Sequence, residues 1–180
     1  MIYLFLADGF EETEAIETLD ILRRAGLPVE TVGVGGKLRT GTHGVPVQCD
    51  REENEVCLSK LKGVILPGGM PGTIHLKESE TVKKAVEYAA GSGKLVAAIC
   101  AAPSILGEWG FLCGKRAVCF PGYEEALLGA EIVREAAVTD GNIITSRCAG
   151  TALNFALQIV AYYLGSQKAD EVRSQFTCGN

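Results

Sequence analysis

The sequence predicts a doubly wound α/β fold, with a mainly parallel sheet and helices on both of its faces. Short apolar runs alternate with segments whose apolar residues recur every three to four positions, which is the pattern of strands followed by helices. Several apolar runs end in Gly, Pro or Asp, as strands do where they lead into loops. No linker rich in Ser and Pro and no internal repeat divides the chain, so we expect one domain over residues 1–180.

In the first half of the chain, apolar runs of strand length surround one helical segment. A strand, an amphipathic helix that stops at Gly26 and a second strand form a β-α-β unit, whose right-handed crossover makes the strands parallel. The stretch that follows is rich in Gly and Thr and predicts a small hairpin outside the main sheet. The predicted elements are a strand at 2–7, a helix at 12–25, a strand at 28–34, hairpin pieces at 37–39 and 45–49, and a strand at 63–66.

The second half continues the alternation and adds a hairpin. Ser79 is expected to cap a helix, and the turn at Asp140-Gly141 predicts a hairpin between the last two strands. The penultimate helix is apolar on nearly every side, so it should pack against the sheet. The predicted elements are a helix at 79–90, a strand at 94–99, a helix opening at 101–107, strands at 117–120, 131–139 and 142–146, and helices at 151–164 and 167–176.

Composition and charge exclude several classes of protein. Apolar residues make up 47% of the chain and charged residues 22%, as in ordinary globular domains. A formal charge of -5 without any basic run argues against binding to nucleic acid or to an anionic membrane, so the expected partner is a small molecule. The apolar N-terminus lacks the features of a signal peptide, and the longest apolar segment, 152–164, is too short to span a bilayer. A cytoplasmic location is therefore expected.

The seven cysteines and two histidines do not form a metal-binding pattern. There is no C-x-x-C pair and no Cys/His spacing typical of zinc, so we expect no metal. Scattered thiols in a reducing compartment are mostly small buried apolar residues. His43 and His75 are expected in surface or core roles, although the loop of His75 leads away from Gly68-Gly69 and leaves a Cys–His pair open.

Cys100 is the strongest candidate for a catalytic residue. Ligands of doubly wound sheets collect beyond the carboxyl ends of the strands, and Cys100 lies where a predicted strand turns directly into a helix with Pro103 in its first turn. This is the arrangement of a nucleophile elbow, whose sharp turn favours strained backbone angles. Unpaired N–H groups at a helix N-terminus favour a thiolate, so we expect a lowered pKa for the Cys100 thiol.

Backbone amides and a carboxylic acid are expected beside this thiol. Gly68 and Gly69 follow another strand, and their N–H groups, with that of Ala101, would stabilise an oxyanion; a plain tight turn is the alternative. Three glutamates open the first helix, and the one that faces the strand ends would be desolvated, with a raised pKa suited to proton transfer. Glu14, which precedes an apolar pair, is the expected one. Neither G-x-x-x-x-G-K-[ST] nor G-x-G-x-x-G occurs after a strand, which disfavours nucleotide binding.

Four segments in order carry a resemblance to a known family: ADGFEETEA, VILPGG, AAICAAP and TSRCAGTALNFAL. The chain resembles the ThiJ/PfpI superfamily, specifically its DJ-one-like branch, which includes the parkinsonism-associated deglycase and bacterial relatives. The resemblance implies a flavodoxin-like homodimer in which Cys100 is hydrogen-bonded to a protonated Glu14. It also implies that the Gly69 amide lies beside the thiol and that Arg24 and Arg51 lie near the dimer interface.

The resemblance further implies a glyoxalase or deglycase that uses no cofactor and protects against carbonyl and oxidative stress. In that activity the Cys100 thiolate attacks a 1,2-dicarbonyl such as methylglyoxal, and Glu14 moves the proton. The amides of Gly69 and Ala101 hold the oxyanion. Gly68 and Phe120 are the residues expected to contact the substrate.

Two departures from the family pattern limit this expectation. Phe120 stands where the deglycase has a histidine, so the activity is expected to be weak. Ala101 stands where the protease branch has a histidine after its nucleophile, which disfavours a peptidase.

The alternative function is that of a redox sensor whose Cys100 is oxidised and whose sulfinate is stabilised by Glu14. A chaperone-like binding role is a third possibility that depends on an exposed apolar surface.

Overall fold

Residues 1–179 are described in the computed structural model, and within them eleven strands are found. Seven of these strands form the central sheet, and the other four pair as two small sheets of two strands each. The strands are Ile2–Leu6 (β1), Val29–Gly33 (β2), Leu38–Thr40 (β3), Pro46–Gln48 (β4), Arg51–Glu52 (β5), Gly63–Leu66 (β6), Leu95–Ile99 (β7), Arg116–Ala117 (β8), Glu131–Ile132 (β9), Ala137–Asp140 (β10) and Ile143–Ser146 (β11).

The order of strands in the central sheet is β10-β11-β7-β6-β1-β2-β5. Every neighbouring pair is parallel except β10 and β11, which form an antiparallel hairpin. The chain runs outward from β1 to β2 and then returns to β6 on the other side of β1. The direction of winding therefore reverses between β1 and β6, which is where doubly wound sheets bind their ligands. The predicted doubly wound, mainly parallel fold is confirmed.

Helices cover both faces of this sheet. The predicted cap on the third helix is confirmed, since the backbone N–H of Val82 donates to Ser79 Oγ at 3.3 Å. Within residues 1–179, no helix combines the length and the apolar character that crossing a bilayer would require. The α-helices are Glu12–Arg24 (α1), Gly72–Glu78 (α2), Glu80–Gly91 (α3), Pro103–Glu108 (α4), Ala152–Leu164 (α5) and Ser166–Phe176 (α6), with 3-10 turns at Glu53–Glu55, Leu58–Lys60, Glu124–Ala126 and Ala149–Thr151.

Two apolar clusters, one on each face, hold the helices to the sheet. Successive residues of a strand point to opposite faces, so Leu4 of β1 packs with α1 and α5 while Phe5 packs with α3 and α4. Phe155 of α5 is fully buried in the first cluster and Val86 of α3 in the second. Burial on both faces explains why the central strands read as continuous apolar runs.

The predicted hairpin outside the main sheet is confirmed. β3 and β4 pair antiparallel as a separate sheet, and this hairpin lies against the loop that follows β1. The N–H of Gly9 donates to the carbonyl of Thr40 at 2.8 Å, and the N–H of Thr42 donates to the carbonyl of Phe10 at 2.8 Å. The hairpin is thus attached beside the N-terminus of α1.

Several local predictions were wrong. The strand expected at 117–120 consists only of β8, because residues 118–120 leave it to run beside the end of β7, where the Phe120 N–H donates to the Cys100 carbonyl at 2.8 Å. The strand expected at 131–139 is broken into β9 and β10, since β9 pairs with β8 and β10 pairs with β11. The helix α2 was not predicted, because it begins with Gly72-Thr73, which are poor helix formers.

The apolar stripe of α1 also differs from the prediction. The spacing of Ile16, Leu19, Leu22 and Ala25 predicts that these four residues lie on the buried side of the helix, but 39% of Ile16 is exposed. Glu14 and Ala15 are buried instead, together with Ile21 and Leu22 further along the helix. The helix is therefore rotated so that a carboxylic acid, and not Ile16, faces the sheet.

Candidate functional site

Three strand ends that neighbour one another in the sheet bring the site together. Glu14 lies in the first turn of α1, after β1; Gly68 and Gly69 follow β6; and Cys100 follows β7. β6 lies between β1 and β7 in the sheet, so these three segments meet at the carboxyl edge beside the point where the winding reverses. All of these residues were singled out from the sequence because they come directly after strands.

Cys100 has the backbone strain expected of a nucleophile elbow. Its φ angle is 66°, in the left-handed region that a side-chain-bearing residue rarely adopts, at a cost of about 1–3 kcal/mol. Two hydrogen bonds hold the residue in place: its N–H donates to the Ser146 carbonyl at 2.9 Å, and its carbonyl accepts from the Phe120 N–H at 2.8 Å. The following helix begins at Pro103, two residues later than predicted, because Cys100 to Ala102 form a turn.

Glu14 is buried, as predicted, with only 1% of its surface exposed. Its Oε2 accepts a hydrogen bond from the Gly68 N–H at 2.7 Å, while its Oε1 is buried and has no partner of normal hydrogen-bond geometry among the described residues. Burial raises the pKa of Glu14 to about 7, although interactions with the Cys100 thiol and the Gly68 N–H lower it. The carboxyl group therefore exchanges its proton near neutral pH.

The pKa of the Cys100 thiol is shifted in the opposite direction to the prediction. Burial raises the pKa above its ordinary value, and the charge and proximity of the Glu14 carboxylate raise it further. The N–H groups of Ala101 and Gly69 lower the pKa, as expected at a helix N-terminus, but they do not outweigh these effects. The predicted direction was wrong because burial disfavours the thiolate, and because the carboxylate that was expected to assist the thiol also repels a thiolate. Near pH 7 the pair therefore carries at most one negative charge, and Glu14 is the group that carries it.

Gly68 fits a space in which no side chain can be placed. A Cβ atom at this position would lie 2.6 Å from Cys100 Cβ and 2.8 Å from Glu14 Oε2. The absence of a side chain lets the backbone N–H reach the buried carboxyl group. Gly69 has a φ of 90°, which favours glycine, and this angle accompanies the approach of its N–H to Cys100. The glycine pair is therefore required by close packing at the site.

A cavity of about 190 Å³ opens above the thiol. It brings together four of the residues predicted from the sequence, while Glu14 and Gly68 lie behind the thiol. Met70 and Tyr123 were missed; Tyr123 follows Phe120 by three residues, and its place depends on the irregular path of residues 118–123. The cavity is lined by Gly69, Met70, Cys100, Ala101, Phe120 and Tyr123.

The other residues considered from the sequence lie away from this cavity. His75 Nδ1 is 2.9 Å from the carbonyl oxygen of Asp8, and the ring lines a different surface depression, so no Cys–His pair forms with Cys100. Arg24 forms an ion pair with Asp20 on α1. Arg51 forms an ion pair with Glu30.

One group of three potential metal ligands occurs among residues 1–179: Glu11, Glu12 and His43, with donor atoms within 4.8 Å of one another. Their hydrogen bonds already have structural roles. Glu11 Oε2 accepts from the Glu14 N–H at 2.7 Å and so caps α1, and Glu12 Oε2 lies 2.8 Å from His43 Nδ1. A metal ion would have to compete with both of these contacts.

Comparison with known proteins places this geometry in a family. The sequence matches the model of the DJ-1/PfpI family over residues 1–162. The chain belongs to the DJ-1/PfpI family. The resemblance inferred from four sequence segments is thereby confirmed, and it extends over most of the chain.

Relatives within the DJ-1/PfpI family differ in length. The chain is 37% identical to protein dj-1beta of Drosophila melanogaster, over 94% of this chain and 92% of that protein. It is 34% identical to a protein of Pyrococcus abyssi that is named a deglycase, over 83% of this chain and 90% of that protein. It is 37% identical to DJ-1 homolog B of Arabidopsis thaliana over 93% of this chain but spans only 39% of that protein's length.

Solved structures of DJ-1 proteins share this flavodoxin-like fold throughout. A cysteine-to-alanine mutant of a DJ-1 superfamily protein from Salmonella typhimurium matches with a TM-score of 0.92 at 33% identity, covering 99% of this chain and 98% of that one. Drosophila melanogaster DJ-1beta matches with a TM-score of 0.92 at 35% identity, covering 98% of this chain and 96% of that one.

Proposed function

We propose that this protein is a cysteine-dependent glyoxalase or deglycase that needs no cofactor and acts on small 1,2-dicarbonyls such as methylglyoxal or their early glycation adducts. The observation that carries the proposal is the pairing of Cys100, at the base of a cavity, with a buried Glu14 whose pKa is about 7. A group with that pKa is suited to both accept and donate a proton at neutral pH. Membership of a family that includes a protein named a deglycase supports the same activity.

The first step is attack by Cys100 on the aldehyde carbon of the dicarbonyl. Because burial keeps the thiol protonated, Glu14 as a carboxylate accepts the thiol proton while the S–C bond forms. The carbonyl oxygen becomes an oxyanion, which the N–H groups of Gly69 and Ala101 stabilise. Glu14 then donates the proton to this oxygen, which gives the hemithioacetal and restores the Glu14 carboxylate. A preformed thiolate is not required for this step.

The second step moves a proton between the two carbons. Glu14 removes the proton from the former aldehyde carbon, the electron pair forms an enediolate, and the proton is returned to the neighbouring carbon. The product is a thioester on Cys100. Water cleaves the S–C bond, which releases the 2-hydroxy acid and restores the thiol, so the sum is methylglyoxal plus water giving lactate with no external oxidant.

The size and lining of the cavity favour a small substrate. About 190 Å³ is below the range of about 300–1,000 Å³ in which drug-sized ligands bind. Phe120, 43% exposed, forms an apolar wall where the deglycase has a histidine, and it cannot transfer a proton. All proton transfer in this mechanism is therefore assigned to Glu14 and water, which is the reason to expect slow turnover.

The test uses methylglyoxal without glutathione and follows lactate with an enantiomer-specific assay. Wild type should make many equivalents of lactate, and Cys100→Ser should make none. Glu14→Gln should reduce kcat by about 10²–10⁴-fold, because it keeps the shape of the side chain and removes its proton exchange. Cys113→Ser, which changes an exposed thiol outside the cavity, is the matched control and should behave as wild type.

Two results would contradict the proposed activity. Lactate production by Cys100→Ser at the wild-type rate would remove the thiol from the reaction. A wild-type protein that makes at most one equivalent of product would exclude turnover of this substrate.

The second candidate function is that of a redox sensor. Cys100 is partly exposed in its cavity, and the amides that approach its sulfur would also stabilise a sulfinate, with a protonated Glu14 as a further hydrogen-bond donor. The solved structure of Toxoplasma gondii DJ-1, 28% identical with a TM-score of 0.90, is of an oxidised protein. Mass spectrometry after peroxide treatment distinguishes the two functions if Cys100 forms a sulfinate while no lactate is made.

We further propose that the chain folds as one domain and works as a homodimer in the cytoplasm. Its cysteines in residues 1–179 are all free, which suits a reducing compartment. Ile16 is exposed on α1, and burial of this apolar residue against a second copy would explain its position. Light scattering of wild type and Ile16→Lys tests the dimer, since the variant should shift the mass toward that of a monomer.

A further inference from the structure

A second cavity lies on the other side of the chain segment that carries Phe120. Its volume is about 320 Å³. Three stretches of chain converge on it: the residues after β8, the end of β9 with the two residues that follow it, and the first residue after β11. The apolar part of its lining consists of Val118, Pro121, Ile132 and Val133, and the basic part consists of Arg134 and Arg147.

Backbone hydrogen bonds fix these stretches relative to one another. The Val133 N–H donates to the Ala117 carbonyl at 3.0 Å, which joins the stretch after β9 to the end of β8. The Arg147 N–H donates to the Ala136 carbonyl at 3.1 Å, which joins the stretch after β11 to the segment that carries Arg134. These backbone hydrogen bonds place the segments that carry the two arginines beside the same cavity.

Neither arginine side chain forms an ion pair within residues 1–179. Among residues 1–179, no carboxylate lies within ion-pair distance of Arg134 or Arg147, and their guanidinium groups donate no hydrogen bond. The neighbouring Arg116, in contrast, forms an ion pair with Glu135. Two unpaired guanidinium groups at the rim of one cavity form a site of positive potential in a protein whose net charge is -5.

One carboxylate, that of Glu124, also lines the cavity. Its Oε2 accepts a hydrogen bond from the Gly122 N–H at 2.7 Å, so that oxygen is engaged with the protein's own backbone. The charges of the lining side chains, two positive and one negative, leave an excess of positive charge. An anion that enters meets the planar donors of two guanidinium groups, which match the oxygens of phosphate and carboxylate groups.

We propose that this cavity is a binding site for a small metabolite that carries a compact oxyanion, a phosphate or a carboxylate, on a short carbon skeleton. Arg134 and Arg147 bind the anionic group, and the apolar side chains of Val118 and Ile132 contact the carbon skeleton. The volume falls at the lower end of the range for small-molecule sites, which fits a ligand of this size.

The cavity is separate from the one above the thiol but shares structural elements with it. Cys119 lines this cavity, and the adjacent Phe120 lines the other. Arg147 directly follows Ser146, whose carbonyl accepts the hydrogen bond from the Cys100 N–H. A ligand in this cavity would thus contact the chain neighbours of Phe120 and Ser146, the two residues whose backbone groups bind that of Cys100. The site does not depend on turnover of a dicarbonyl, and its test can succeed or fail whatever the outcome of the lactate assay.

Calorimetric titration with inorganic phosphate and, separately, with succinate tests this site at constant ionic strength set with sodium chloride. Wild type should bind at least one of the two probes saturably. Arg134→Gln and Arg147→Gln should each weaken that binding by about 10-fold or more, because each removes charge-assisted hydrogen bonds. Glu124→Gln should tighten binding several-fold, since it removes the negative charge from the lining. Arg173→Gln, which removes an exposed arginine on α6, is the matched control and should bind as wild type does.

Both arginines are exposed, so the variants should fold, which circular dichroism and the melting temperature verify. Tighter binding of phosphate would indicate a phosphate ester as the ligand, and tighter binding of succinate would indicate a carboxylate; either result supports the site. The proposal is overturned if wild type binds neither probe saturably. It is also overturned if Arg173→Gln weakens binding as much as the two cavity variants do, because the effect would then be that of overall charge.

Discussion

Glu12 and Glu14 lie in the first turn of the same helix, but the protein shifts their pKa values in opposite directions. Burial raises the pKa of Glu14 to about 7. Burial also acts to raise the pKa of Glu12, but hydrogen bonds to its carboxylate outweigh burial, and the pKa is lowered. The donors are the His43 side chain and the backbone N–H groups of Glu12, His43 and Val45. The positive end of the helix dipole acts on both residues, so it does not account for the difference.

The contrast shows that a separation of only two residues within one helical turn decides which carboxyl group is able to transfer protons. Glu12 faces the β3–β4 hairpin, where its Oε1 accepts from the His43 N–H at 2.7 Å and its Oε2 lies 2.8 Å from His43 Nδ1. These contacts favour the ionised form. Glu14 faces the sheet with a single backbone donor on one oxygen. The residue with fewer partners is the one whose proton is available for chemistry.

The largest effect expected from this contrast is on the pH dependence of stability. The pKa of Glu14 rises from 4.5 in the unfolded chain to about 7 in the folded protein, so the folded state binds the proton more tightly. Its contribution to the free energy of unfolding is therefore fully present below pH 4.5 and is lost as the pH rises through 7. The size of this loss is about 3 kcal/mol. Urea denaturation at pH 4.5 and pH 8 measures it.

Glu14→Gln and Glu12→Gln form a matched pair for this measurement. The Glu14→Gln protein should lack this part of the loss between the two pH values, because glutamine does not ionise. The Glu12→Gln protein should retain the wild-type loss, since Glu12 is already ionised over the range in which Glu14 titrates. An equal loss in wild type and Glu14→Gln would show that Glu14 does not carry the raised pKa.

The next effect in size concerns the glycine that lets the backbone reach Glu14. Gly68→Ala places a Cβ 2.8 Å from Glu14 Oε2 and 3.1 Å from the Ala101 nitrogen, so the site must rearrange, and we expect a loss of about 1–3 kcal/mol in stability. Gly91→Ala is the control, because a Cβ there has no neighbour within 4 Å and α3 gains a better helix former. Urea denaturation should show the control to be at least as stable as wild type. Equal stability of both variants would contradict the close packing at Gly68.

The fold and the core of this site could be predicted from the sequence because both depend on local patterns. Alternating apolar runs identify the strands, and the rule that ligands collect at strand ends directs attention to Cys100, Gly68 and Glu14. Glu14 itself was identified because it precedes an apolar pair, although Ile16 of that pair is exposed. The prediction of the helix was correct, whereas the prediction of which of its sides is buried was only partly so.

Properties that depend on contacts distant in the sequence could not be predicted. The sign of the Cys100 pKa shift follows from the balance between desolvation, the Glu14 charge and two amides, and the sequence gives no measure of desolvation. The path of residues 118–123, which places Tyr123 in one cavity and Cys119 in another, depends on hydrogen bonds to β7 and β11. The partnership of Glu12 with His43 joins residues 31 apart in the chain.

The smallest effect expected is at the Glu12–His43 contact. The His43 side chain is 72% exposed, and its hydrogen bond to Glu12, with the charge of that carboxylate, raises its pKa above 6.5. The raised pKa means that the ion pair stabilises the fold fully below pH 6.5 and that this contribution is lost as the pH rises through the folded value. Solvent screening keeps the contribution small, so His43→Ala should destabilise the protein less than Gly68→Ala at pH 6 and hardly at all at pH 9. An NMR titration of His43 in the Glu12→Gln protein isolates the cause: its pKa should return toward 6.5, and an unchanged value would mean that the shift has another origin.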